Sequence, residues 1–169
     1  LSEHPLKKYE FEIENFTTCL LTELDALIAK CDEERKPQKA NVAGLITSYE
    51  TKTSKSGKPY ARVNVEDFSG TYELSLFGKD YETYMSYLND HTAIYIEGEI
   101  KESYYVKPEE KEKAATVPYK FRLKNISLLG NIAERMVAGF VIEISTTMLN
   151  PDFRESLKNA IKGSKGNIP

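Results

Sequence analysis

Residues 41–77 read NVAGLITSYETKTSKSGKPYARVNVEDFSGTYELSLF. Val63 and Val65 alternate with Tyr60, Arg62 and Asn64, and Tyr72, Leu74 and Leu76 alternate with Glu73, Ser75 and Phe77. Successive side chains of an extended chain point to opposite faces, so this period of two predicts two strands, each with an apolar face and a mixed one. The lysine-bounded turn around Gly57 and the turn at Asp67–Gly70 predict the hairpins that join them to their neighbours. Pairing across the second hairpin would set Phe77 beside Tyr60 and Arg62 on the mixed face.

Outward from this stretch, strands are predicted at about 41–52, 60–66, 71–77, 93–101 and 119–129. One helix interrupts them. Residues 80–88 (DYETYMSYL) place Tyr81, Tyr84, Met85 and Leu88 on one helical face, suited to plugging a small barrel. Three strands, a helix and two strands is the order of the five-stranded Greek-key barrel called the OB-fold, which binds oligonucleotides across its second and third strands. The expected fold is therefore mainly β with flanking helices, in three parts: a helical segment over 1–37, the barrel over 38–130, and the start of a truncated α/β unit over 131–169. In the first part, Pro5 opens a short helix with Leu6, Tyr9 and Ile13 on one face. A second helix is expected over 22–32, capped by Thr22 and carrying Leu24, Leu27, Ile28 and Cys31, with CDEERKPQK as a solvated connector. In the last part an alternating run, AGFVIEISTTML, precedes a helix opened by Pro151. The chain starts at Leu1 without methionine and stops at Pro169 after a turn, so it reads as a piece of a longer protein.

The 169 residues carry a formal charge of −3 and a pI near 5.6, which excludes coating of duplex DNA by overall charge. Any anion binding must be local: residues 1–37 hold 5 basic and 9 acidic side chains, 38–129 hold 13 and 13, and 130–169 hold 5 and 4. Cys19 and Cys31, with only His4 and His91 as histidines, give no zinc spacing, and both cysteines read as small apolar side chains in a reducing compartment. No apolar run reaches the roughly 20 residues of a membrane span, and no secretory signal opens the chain, so a cytoplasmic location without membrane partners is expected.

The candidate site is a single-stranded nucleic-acid surface. Tyr60, Arg62 and Phe77 would form a stacking platform, and Lys52, Lys55 and Lys58 would contact phosphates from the first hairpin. A second set, Tyr104, Tyr105, Lys120 and Arg122, belongs to the loop before the fifth strand, which also carries Lys107, and to that strand. Each has a plainer reading: Phe77 packed beneath a neighbouring segment, Arg62 paired with Glu73 across the strands, the lysines solvated, the tyrosines in the core. Glu66, Asp67 and Asp80 read as turn and helix caps rather than a metal cluster. No catalytic residue, cofactor or metal ligand is expected in these residues.

Three segments resemble the alpha subunit of bacterial replicative DNA polymerase III. LSEHPLKKY at 1–9 is similar to the family's LSGHPLxxY, with Glu3 in place of glycine; VAGLIT at 42–47 and KSGKPYARVNVEDFSGTYELSLF at 55–77 are similar to its OB core; KGNIP at 165–169 is similar to the turn opening its terminal domain. The resemblance implies a DNA-extending parent that uses magnesium and deoxynucleoside triphosphates. Its catalytic and clamp-binding parts would precede Leu1, and most of its tau-binding surface would follow Pro169. It further implies that this OB module captures single-stranded template during replication, in company with the tau subunit and the sliding clamp. Two alternatives stay open: a protein-docking barrel within the replisome, and the anticodon-binding module of a tRNA synthetase, whose OB domains share the LEDxxG-x-ExxxF pattern.

Overall fold

The computed structural model describes residues 4–103, 117–137 and 151–163; the alternating run at 138–149 lies outside them. The chain divides into two compact units, 1–132 and 133–169. The first holds five strands: β1 (Gln38–Thr53), β2 (Pro59–Glu66), β3 (Thr71–Phe77), β4 (Ala93–Glu102) and β5 (Tyr119–Leu128). They form one antiparallel sheet in the order β3-β2-β1-β4-β5.

β1 makes this topology possible by changing partner along its length. Gln38–Leu45 pair with β4, whereas Leu45–Thr53 pair with β2. The changeover is marked by a bulge between Ile46 and Ser48, which bends a strand and increases its twist. Gly44 stands there because a Cβ would lie 2.5 Å from Val65 Cγ1 and 2.7 Å from the Glu66 carbonyl oxygen. Gly98 answers a second irregularity, where β5 carries Lys124 as an extra residue opposite Glu97 and Gly98. A Cβ at Gly98 would come within 2.3 Å of the Phe121 ring.

The inward residues of the strands, among them Val42, Ile46, Val63, Val65, Leu76, Ile94, Ile96 and Ile100, form the interior core. Each large aliphatic side chain removed from water contributes about 1.5–3 kcal/mol. Helix α3 (Lys79–Tyr84), followed by a 3-10 turn over Met85–Tyr87, adds Tyr84 and Leu88 to that core. The expected plug is there, but Met85 is not part of it: the tightening to 3-10 turns its side chain out, and it is 53% exposed.

Helix α1 (Glu10–Phe16) follows a 3-10 turn over Pro5–Tyr9, and Leu6 and Ile13 pack with Ala43, Leu45, Tyr95 and Leu129 in a second cluster on the outer side of β1 and β4. Helix α2 (Leu24–Glu34) sends Leu24 and Cys31 into the interior core instead. Thr22 is not its cap. A 3-10 turn over Leu21–Glu23 comes first, Glu23 accepts from the Leu20 N–H at 2.9 Å, and Asp67 of the β2–β3 turn accepts from the Leu21 N–H at 2.7 Å. A carboxylate distant in sequence has taken the place of the local hydroxyl.

The connector after α2 is also more than solvated chain. Arg35, left-handed at φ 54°, donates to Asp32 at 2.8 Å, to the Val117 carbonyl at 2.9 Å and to Glu102 at 2.6 Å, and lies over the Tyr119 ring. In the second unit, Pro151 opens helix α5 (Pro151–Gly163), which follows α4 (Ile132–Met136) among the described helices. No described helix is long and apolar enough to cross a membrane.

Candidate nucleic-acid interface

Directly paired residues of neighbouring strands share a face, so the register converts the sequence into a grid. Across β1, β2 and β3 the outward rows are Lys52, Tyr60 and Phe77; then Glu50, Arg62 and Ser75; then Ser48, Asn64 and Glu73. Between them the β2 and β3 residues Ala61, Val63, Leu74 and Leu76 are buried. The predicted alternation of both strands is therefore the observed one.

The first row is cationic and aromatic. The rings of Tyr60 and Phe77 stack with centroids 4.9 Å apart and planes 20° from parallel. Phe77 is 56% exposed, the largest exposure among the described large apolar side chains, and no described segment buries it. An open groove of about 540 Å³ beside it is lined by Ser54, Ser56, Lys58, Pro59, Phe77 and Gly78. The hairpin that forms one wall is held by Ser54, whose N–H donates to the Lys58 carbonyl at 2.8 Å and whose Oγ accepts from the Lys58 N–H at 3.1 Å. Lys55 and Lys58 are exposed and have no carboxylate partner among the described residues. Lys52 is paired with Glu50 at 2.8 Å.

The other two rows carry two carboxylates, Glu50 and Glu73, to one cation, Arg62. Arg62 stands opposite Ser75, with Glu50 beside it on β1 and Glu73 3.8 Å from its Nε. Asn64 donates to Ser48 at 2.9 Å. The ion-pair partner foreseen for Arg62 is thus present, at the long end of the salt-bridge range and half exposed, where such a pair contributes at most about 1 kcal/mol. Glu50 and Ser48 went unseen in the sequence as members of this face because the bulge at Thr47 resets the parity of β1.

The second predicted set does not join this grid. Lys120 and Arg122 stand on β5 opposite Lys101 and Glu99 of β4, with β4 and β1 between them and β2 in the sheet order. Tyr104, Tyr105 and Lys107 lie outside the described residues. Asp67 is buried and committed to structure, accepting from Ser69 N–H and Oγ–H, Gly70 N–H and Leu21 N–H. Among the described residues no group of three or more His, Cys, Asp or Glu side chains is placed to hold a metal ion.

Residues 40–128 match the tRNA anti-codon family, described as OB-fold nucleic acid binding domain. The chain belongs to that family. Its OB-fold spans β1 to β5, as the order of strands and helix predicted. Along its whole length the chain is also similar to DNA polymerase III subunit alpha of Haemophilus influenzae, at 24% identity over 170 residues. With the same subunit of Deinococcus radiodurans the identity is 36% over 83 residues, 48% of this chain and 6% of the relative. The resemblance to that subunit read from three segments is borne out. The chain spans about 13% of the length of the Haemophilus relative. Among solved structures, the OB-fold is similar to the mitochondrial single-stranded DNA binding protein Rim1 of S. cerevisiae, at 18% identity and a TM-score of 0.38 over 54% of this chain and 93% of that one.

Proposed function

We propose that this OB-fold domain binds single-stranded DNA as the template-capturing module of a polymerase III alpha subunit in DNA replication. The observation that carries the reading is the row Lys52, Tyr60, Phe77 beside the Lys55–Lys58 hairpin. A stacked aromatic pair offers its outer ring face to a base, worth about 1–3 kcal/mol, while lysines one strand away meet the phosphates on either side. The stack fixes both rings in advance, which lowers the ordering cost of binding.

With two lysines that have no carboxylate partner among the described residues and a neutral remainder, the face gives modest, sequence-tolerant affinity. Tethering to a polymerase would raise the effective concentration of template and turn weak binding into processivity. In this reading the magnesium, the deoxynucleoside triphosphates and the contacts to tau and the sliding clamp belong to other parts of the parent polymerase, and the domain works in the cytoplasm. The carboxylates described here are engaged in turns, caps and ion pairs, so no metal-dependent step is assigned to them.

The test is an anisotropy titration of labelled single-stranded oligonucleotides at two salt concentrations. Salt-sensitive binding that Phe77→Ala and Lys58→Ala weaken supports the proposal. No binding at low salt, or indifference to both substitutions, would favour a protein-docking barrel. Preference for an anticodon stem-loop over single-stranded DNA would favour the synthetase-type module.

A further inference from the structure

On the other arm of the sheet, the register gathers Lys39, Lys101, Lys120, Arg122 and Lys124 on the outer side of β1, β4 and β5. Lys39 and Arg122 flank Glu99 on its two sides, Lys101 pairs with Lys120 in the next row, and Lys124 is the extra residue of the β5 bulge. Glu99 is only 19% exposed; it binds Lys101 and, at 2.5 Å, Lys124, holding the two ammonium groups in place. Glu97 accepts from Asn125 at 2.7 Å, and Glu102 at the strand end is held by Arg35. Five cations therefore face two carboxylates in these rows. In the β2–β3 grid, two cations face two.

The two arms also differ in what accompanies the charge. Among the described residues, none of the exposed aromatic side chains stands in the rows of Lys101, Glu99 and Glu97. Bases need a ring to stack on, whereas phosphates need only charge at the right spacing. Outward residues here lie about 5 Å apart between strands and about 7 Å along them. Duplex DNA presents one charge per about 1.7 Å of axis, twice the density of one strand, so a patch whose described residues offer cations and no exposed ring, Tyr119 beside Lys101 and Arg122 being buried, gains most from a duplex.

We propose that the outer face of β1, β4 and β5 contacts the phosphate backbone of duplex nucleic acid, separately from the aromatic face on β2 and β3. This does not depend on the single-strand reading, since the two faces share none of these side chains. A domain with both would recognise a junction, with duplex on one arm of β1 and single strand on the other.

The experiment uses the whole chain with a blunt duplex, a single strand and a duplex bearing a single-stranded tail. Lys39→Ala/Arg122→Ala removes two exposed cations that have no carboxylate partner among the described residues. The expected result is about tenfold weaker duplex binding and a salt slope lower by about 1 for each cation removed, with single-strand binding and melting temperature unchanged. Phe77→Ala should do the reverse. Should the double variant melt early, Arg122→Gln alone provides the same readout. Three results would overturn the proposal: no duplex binding by the wild type at low salt, equal loss of duplex and single-strand binding, or competition by polyglutamic acid at the wild type's duplex site showing that its partner is not selected as nucleic acid.

Discussion

Glu73 of β3 lies 3.8 Å from Arg62 of β2, on the face where a nucleic-acid strand would run. The guanidinium is already partly neutralised, and Glu50 on β1 flanks it from the other side. Against a bound strand these carboxylates would oppose phosphates more than they stabilise the fold, because half-exposed pairs contribute little. Glu73→Gln is expected to strengthen single-strand binding several-fold at low salt and to steepen its salt dependence, with little change in melting temperature. Unchanged affinity in a salt-dependent titration would place the bound strand away from Arg62.

Asp67 closes the β2–β3 turn by accepting three hydrogen bonds from Ser69 and Gly70, and fastens it to the start of the α2 region by accepting a fourth from the Leu21 N–H. Asp67→Ala leaves buried N–H groups unsatisfied and is expected to cost about 2–4 kcal/mol, read as a clear fall in the denaturant midpoint. Thr22→Ala, at the position that looked like the cap, should cost less than about 0.5 kcal/mol.

Arg35 links α2 to the end of β4 and to Tyr119 from a left-handed backbone that glycine adopts more easily. Arg35→Ala loses the contacts and keeps the strain. Arg35→Gly loses the contacts and relieves it, so its melting temperature should fall between those of Arg35→Ala and the wild type.

Burial raises the thiols of Cys19 and Cys31 above their ordinary 9.0, with nearby carboxylates adding to the effect, and burial followed by Asp25 raises the Tyr72 hydroxyl above 10.0. In each case the fold favours the neutral form. The associated stability is complete below the ordinary values and is lost as pH rises through the higher folded ones. Melting temperature should therefore fall on moving from pH 8 to pH 11 beyond what solvent-exposed groups explain, and Tyr72→Phe should reduce that fall. At pH 8 both thiols should react with iodoacetamide more slowly than in urea.

How far the sequence disclosed this molecule follows from the range of each signal. The alternation of β2 and β3 is local, so Tyr60, Arg62 and Phe77 could be placed on one face before any coordinates, and the order of strands and helix led to the OB-fold. What stayed hidden depends on irregularities and distant partners. The bulge after Ile46 admits Glu50 to the face, the shift to 3-10 expels Met85, and Asp67 displaces Thr22 as a cap. Lys120 and Arg122 were legible as cations. Their separation from Arg62 needed the pairing of β5 with β4.

The central claim is that a single strand lies along Lys52, Tyr60 and Phe77. Amide chemical-shift mapping during titration with a short oligothymidylate tests it most directly. The account predicts the largest shifts at residues 52–62 and 75–78, with upfield movement of the Tyr60 and Phe77 ring protons as bases stack on them. Shifts confined to the α1 or α2 surface, with those two rings unmoved, would contradict it.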